Sequence, residues 1–93
     1  MASDAPTEPR VENFEATELK GKGNDAFKAG KFEDAVSLFS EAITHDEDNA
    51  ILYNNRAMAQ ASLGRWAECV FDAMKSIKLN KKYSKAYYQL VKG

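Results

Sequence analysis

The chain has 93 residues, of which 44% are hydrophobic and 29% are charged, and its formal net charge is -1. This length supports one domain, and the composition excludes fibrous, disulfide-rich and wholly disordered proteins. A single cysteine (Cys69), an acidic N-terminus and the lack of a long apolar run argue against an internal disulfide, a secretory signal and a membrane span, so we expect a cytoplasmic protein.

Residues 1–14 are expected to form a flexible acidic leader, because Pro6, Pro9 and scattered acids leave no periodic apolar positions. A repeat domain is expected over residues 15–93. Its first two helices are predicted near residues 16–29 and 32–46, where apolar residues recur at helical spacing on either side of Gly30. Glycine adopts a left-handed helix end without steric cost, which suits Gly30 to this turn.

The next two helices, predicted near residues 50–63 and 66–79, repeat this arrangement around Gly64. Equivalent residues are 34 positions apart, as in Gly30 and Gly64, Phe32 and Trp66, Val36 and Val70, and Ile43 and Ile77. A fixed period of this size predicts stacked helix-turn-helix units. A third unit begins near Ser84 and contains a fifth helix, predicted near residues 84–92.

The period, the glycines between paired helices, and the small and aromatic positions of residues 16–93 resemble the tetratricopeptide repeat (TPR). The family's places are held in the first repeat by Leu19, Lys22-Gly23, Ala26, Ala35, Phe39, Ala42 and Glu47, and in the second by Tyr53, Arg56-Ala57, Gln60, Cys69, Ala73, Ser76 and Lys81. The usual prolines are missing, so the segments Asp46-Glu47-Asp48-Asn49 and Asn80-Lys81-Lys82 are predicted to form the turns. The resemblance implies an all-α, right-handed stack of five helices, with repeats at 16–49 and 50–83 and a partial repeat at 84–93.

Three strings also resemble the TPR domains that bind the acidic C-terminal tails of the seventy- and ninety-kilodalton heat-shock chaperones: Lys22-Gly23-Asn24, Tyr53-Asn54-Asn55-Arg56-Ala57 and Tyr83-Ser84-Lys85-Ala86-Tyr87. The resemblance implies that the first helix of each repeat lines a concave face. It further implies that a final aspartate of the ligand is clamped by Lys20, Asn24, Asn55 and Lys85. Phe27, Met58 and Ser62 occupy places that face the preceding aliphatic side chains, and Gln89 stands where relatives carry a cation. The expected function is therefore non-catalytic recognition of an acidic chaperone peptide.

Several of these residues also have a purely structural explanation. Lys20 fits a solvated helix lysine, Phe27 fits a core position, and Cys69 fits a small apolar position of the repeat. Asn24 and Asn55 are harder to explain this way, because asparagine is a mediocre helix former and gains nothing on an exposed helix face.

Other functional classes find less support in the sequence. One histidine and one cysteine cannot build a Cys/His metal cluster, and Gly21-Lys22-Gly23 lacks phosphate-loop spacing, so no catalysis, metal or cofactor is expected. The lysine-rich end lacks a glycine-aromatic motif, which argues against nucleic acid. The remaining alternative is an assembly role, in which the fifth helix exposes Ala86 and Leu90 and mediates a homodimer or docking on another protein.

Overall fold

A computed structural model describes residues 13–80. They form four helices: α1 (Phe14–Lys28), α2 (Phe32–His45), α3 (Ala50–Ser62) and α4 (Trp66–Leu79). Each helix packs against the next, and α1 also contacts α3. The first four predicted helices are thus confirmed, whereas the predicted fifth helix and most of the predicted leader lie outside the described residues. None of the described helices is long and apolar enough to cross a bilayer.

Helix α1 begins two residues before its predicted start, because Asn13 caps it. The Asn13 Oδ1 atom accepts a hydrogen bond from the backbone N–H of Ala16 at 3.0 Å. The Asn13 Nδ2 atom donates to the carbonyl oxygen of His45 at 2.8 Å. One side chain therefore satisfies a free N–H at the start of α1 and a free carbonyl at the end of α2.

The turns between helices have the predicted chemistry. Gly30 and Gly64 have φ values of 79° and 76°, which is the left-handed conformation that glycine favours. In the acidic turn, Asn49 caps α3 by accepting from the Ile51 N–H at 3.0 Å. Its amide also donates to Asp46 Oδ2 at 3.0 Å. These bonds fix the turn where the family's usual proline is missing.

The core is built from small side chains that let the helices approach closely. Ala35, Ala42 and Ala57 are fully buried, which confirms the predicted small positions. Gly23 lies against the Phe39 ring, so closely that a β-carbon there would meet the ring at 2.5 Å. The α1–α2 contact therefore depends on the absence of a side chain at residue 23.

The thiol of Cys69 is expected to react slowly in the folded protein. Its side chain is packed with Ala57 and Ala73, and burial, with a smaller effect of the Asp72 carboxylate, raises the pKa of the thiol. Because only the thiolate is nucleophilic, we expect labelling by a thiol reagent to be about 100-fold slower in buffer than in concentrated urea. Because this pKa is higher in the folded than in the unfolded chain, the unfolded chain loses the thiol proton first. The free energy of unfolding should therefore fall as the pH rises above the ordinary range of a cysteine thiol. Equal labelling rates with and without urea would contradict a purely structural Cys69.

Candidate functional site

The contact between α1 and α3 brings two predicted site residues together. Asn55 Nδ2 donates a hydrogen bond to Asn24 Oδ1 at 3.3 Å, and both side chains are partly exposed. This bond uses one N–H of Asn55 and the carbonyl oxygen of Asn24. Within residues 13–80, the Asn24 amide group and the second N–H of Asn55 are therefore left to donate to a ligand.

Beside this amide pair lies a cavity of about 130 Å³, lined by Asn24, Phe27, Phe39, Asn55 and Met58. Four of these five residues are predicted site residues. The fifth, Phe39, is predicted only as an aromatic position of the repeat, and its ring is buried. The cavity thus combines two amides with two aromatic rings and a thioether, a mixture that suits a ligand with both polar and aliphatic groups.

Phe27 lies both against the core and at the wall of the cavity. Its ring packs against the buried cluster of Ala35, Phe39 and Ala59. It also meets the Phe32 ring edge-on, with centroids 5.2 Å apart and an interplanar angle of 71°. Phe27 also lines the cavity. The core therefore holds in place a side chain that also forms part of the candidate site.

Two other predicted site residues among residues 13–80, Lys20 and Ser62, do not line this cavity. Lys20 lies one turn before Asn24 on α1, is partly exposed, and forms no ion pair within residues 13–80. The Ser62 hydroxyl is exposed and donates to the carbonyl oxygen of Met58 at 3.2 Å, so it is engaged by its own helix. Lys85 and Gln89 lie outside the described residues.

An ion pair that the sequence analysis did not predict joins Arg56 of α3 to Asp72 of α4. Arg56 Nε and Nη2 donate to the two carboxylate oxygens of Asp72 at 2.7 and 2.8 Å. Arg56 Nη1 donates to Ser40 Oγ at 3.0 Å, so one guanidinium joins α2, α3 and α4. Asp72 is only 1% exposed, and its hydrogen bond to Arg56 raises the pKa of the guanidinium. The sequence signal for this ion pair is the single acid, Asp72, within the apolar run around Phe71 and Ala73.

Two cations lie near the ring of Tyr53. Arg56 Cζ and Lys75 Nζ are 5.7 and 5.8 Å from the centre of the Tyr53 ring. Partial burial raises the pKa of the Tyr53 hydroxyl, and the positive charge of Arg56 partly offsets this effect. Tyr53 and Arg56 therefore help to hold α3 in position, and Arg56 directly follows Asn55, whose amide lies beside the cavity.

Comparisons with known proteins agree with this architecture. Residues 23–64 match the model of the TPR repeat family. The Hsp70-Hsp90 organizing protein of Triticum aestivum is 44% identical over 75 residues, which are 81% of this chain and 13% of that protein. Serine/threonine-protein phosphatase 5 of Homo sapiens is 42% identical over 74 residues, which are 80% of this chain and 15% of that protein. The chain thus spans about a seventh of the length of these relatives.

A solved structure is similar over most of the chain. The second TPR of Spaghetti (RPAP3) bound to the HSP90 peptide SRMEEVD has 39% sequence identity and a TM-score of 0.74. The similarity covers 77% of this chain and 67% of that chain. One conclusion follows from the 34-residue period, the paired helices with left-handed glycine turns, and these similarities. The chain belongs to the tetratricopeptide repeat family.

Proposed function

We propose that this chain is a non-catalytic interaction module that binds the acidic C-terminal peptide of a heat-shock chaperone. The observation that carries the proposal is the amide pair of Asn24 and Asn55, which lies at the α1–α3 contact beside a cavity with aromatic walls. The similar solved domain is bound to a peptide that ends in aspartate, and such an end carries two carboxylates close together.

The amide pair suits this ligand because it donates hydrogen bonds without adding positive charge. Carboxylate oxygens accept from the Asn24 amide group and from the free N–H of Asn55, and each such bond contributes about 1.5 to 3 kcal/mol. Lys20, one turn away on α1, supplies a cation on the same helix face. By resemblance, Lys85 is the second cation and Gln89 is a neutral replacement for a third.

The cavity accounts for the aliphatic part of the peptide. Phe27, Phe39 and Met58 present apolar surface next to the amides, and Met58 is 40% exposed. An aliphatic side chain just before the final aspartate would be placed there when the carboxylates meet the amides. The phosphatase among the relatives does not extend the proposal to catalysis, because the match covers 15% of that protein.

Titration calorimetry with the SRMEEVD peptide tests the proposal. We expect a dissociation constant in the micromolar range, which corresponds to about -7 to -8 kcal/mol. Amidation of the terminal carboxylate removes one of the two charges that the site binds, so most of the affinity should be lost. Equal affinity for the free and amidated peptides would exclude recognition of the C-terminus. Peptides from the two chaperone classes, compared in the same assay, measure any preference between them.

Two neighbouring asparagines of α3 provide a matched pair of variants. Asn55→Ala removes a donor beside the cavity and should weaken peptide binding by about 10- to 100-fold, as expected for the loss of a bond to a charged group. Asn54→Ala changes the same residue type one position away, outside the cavity lining, and should change affinity by less than about threefold. Equal losses for the two variants would show that the peptide does not contact the amide pair.

A further inference from the structure

Helix α4 presents an apolar stripe that the candidate peptide site does not use. We define the α4 stripe as Ala67, Phe71, Met74 and Lys78, which are spaced by four, three and four residues and so lie on one helix face. Phe71 is 71% exposed and Met74 is 56% exposed. Among the described residues, nothing covers these two large side chains, and isolated domains rarely expose such a patch without a partner.

The repeat itself shows that stacking of a following helix would not cover Phe71, the most exposed residue of the α4 stripe. The equivalent residues of α2, 34 positions earlier, are Glu33, Ser37, Ser40 and Thr44, and all are polar. Although α3 packs against α2, Glu33, Ser37 and Thr44 remain exposed, and only Ser40 is partly covered. A helix placed on α4 as α3 is placed on α2 would therefore leave Phe71 in solvent.

The charges beside the α4 stripe change sign along the helix. Glu68 is in the first turn of α4, and Lys75 and Lys78 are near its end. Glu68 and Lys75 are seven residues apart and flank the stripe on the same side. Within residues 13–80, neither Glu68 nor Lys78 forms an ion pair. The stripe is therefore apolar at its centre, with an acid beside its N-terminal end and bases at its C-terminal end.

This pattern is complementary to itself under a two-fold rotation. The two-fold axis lies between the two copies of α4, perpendicular to both helices and level with the midpoint between Phe71 and Met74. The rotation places the Phe71 ring of each chain against Met74 of the other chain. With a rise of about 1.5 Å per residue, Glu68 then lies about 3 Å along the helix axis from Lys75 of the second copy. Opposite charges meet at both ends, and the same patch serves both chains, as a two-fold interface requires.

We propose that a second copy of this chain docks antiparallel on the α4 stripe and forms a two-fold dimer. The contact uses α4 and is distinct from an association through the fifth helix. The stripe residues do not line the cavity beside Asn24 and Asn55, so dimerisation and peptide binding are independent of one another and are measured separately. One helix face per chain makes a small interface, and such interfaces associate weakly.

Sedimentation velocity of the 93-residue chain over a range of concentrations tests the proposal. We expect a monomer–dimer equilibrium with a dissociation constant on the order of 100 µM. Phe71→Glu places one carboxylate from each chain in the apolar centre of the dimer. It should raise the dissociation constant at least about tenfold. Ser37→Glu makes the same change at the equivalent exposed position of α2 and should leave it unchanged.

A charge exchange separates docking from a general loss of structure, and circular dichroism of each variant checks the fold, because Lys75 Nζ also lies 5.8 Å from the centre of the Tyr53 ring. Glu68→Lys alone and Lys75→Glu alone each bring like charges together and should weaken the dimer by about three- to tenfold. The variant carrying both changes restores opposite charges and should return to within about twofold of the original constant. A chain that stays monomeric at about 1 mM, or a double variant as weak as either single one, would overturn the proposal.

Discussion

Replacing Asp72 with alanine is expected to lower the free energy of unfolding by about 3 to 5 kcal/mol. The Asp72 carboxylate is 1% exposed and accepts two hydrogen bonds from Arg56 at 2.7 and 2.8 Å. Asp72→Ala leaves a partly buried guanidinium without its counter-charge. A native domain is stable by only about 5 to 15 kcal/mol, so this loss is a large share of the total. Urea denaturation followed by circular dichroism measures it.

The second ion pair of the described residues provides the control. Arg65 Nη2 and Glu33 Oε2 are 2.8 Å apart, almost the same distance, but the two side chains are 39% and 71% exposed. Solvent screens such a pair, so Glu33→Ala should cost less than about 1 kcal/mol. Equal losses for Asp72→Ala and Glu33→Ala would show that the buried pair does not hold α2, α3 and α4 together.

Substitution of Gly23 by alanine should destabilise the protein by about 1 to 3 kcal/mol, although alanine is the better helix former. The added β-carbon would lie 2.5 Å from Phe39 Cε1 and 2.7 Å from Phe39 Cδ1. The Phe39 ring is packed against Ala35 and Ala59 on one side and lines the candidate cavity on another, so the ring escapes the added carbon only by giving up part of this packing. Thermal or urea unfolding of Gly23→Ala measures the loss.

Gly21 lies in the same helix and supplies the matched control. A β-carbon at Gly21 would meet nothing within 4 Å. Gly21→Ala should therefore raise the free energy of unfolding by about 0.5 to 1 kcal/mol through helix propensity alone. The two substitutions thus have opposite expected signs. Since Phe39 also lines the candidate cavity, Gly23→Ala should in addition weaken SRMEEVD binding, whereas Gly21→Ala should not. Stabilisation by both variants would contradict the close approach of α1 and α2.

The helices could be predicted from local patterns. Apolar residues at helical spacing, a 34-residue period and two turn glycines place α2, α3 and α4 to within one residue of their observed bounds. These features are set by backbone preferences and by the need of each helix to bury one face, and both leave a regular trace along the chain. The exception is the start of α1, which Asn13 caps two residues before the predicted start while also bonding to His45 of α2.

The candidate site was predictable only in part. The resemblance to peptide-binding repeats singles out Asn24 and Asn55, which are 31 residues apart. The spacing of Asn24 and Asn55 along the chain does not show that the two amides touch, since that depends on the position of α3 relative to α1. The same holds for Phe39, whose ring reaches the cavity because Gly23 leaves space above it.

Secondary structure and turn chemistry follow from the residues themselves, because they depend on neighbours within a few turns of the chain. Membership in a repeat family also follows from the sequence, because the 34-residue period can be read along it. The joining of Arg56 to Asp72 and Ser40, and the exposure of the α4 stripe, depend instead on which helix faces meet. An arginine and an acid 16 residues apart carry no local pattern, and their ion pair forms because packing of α3 on α4 buries the Asp72 carboxylate and most of the Arg56 side chain.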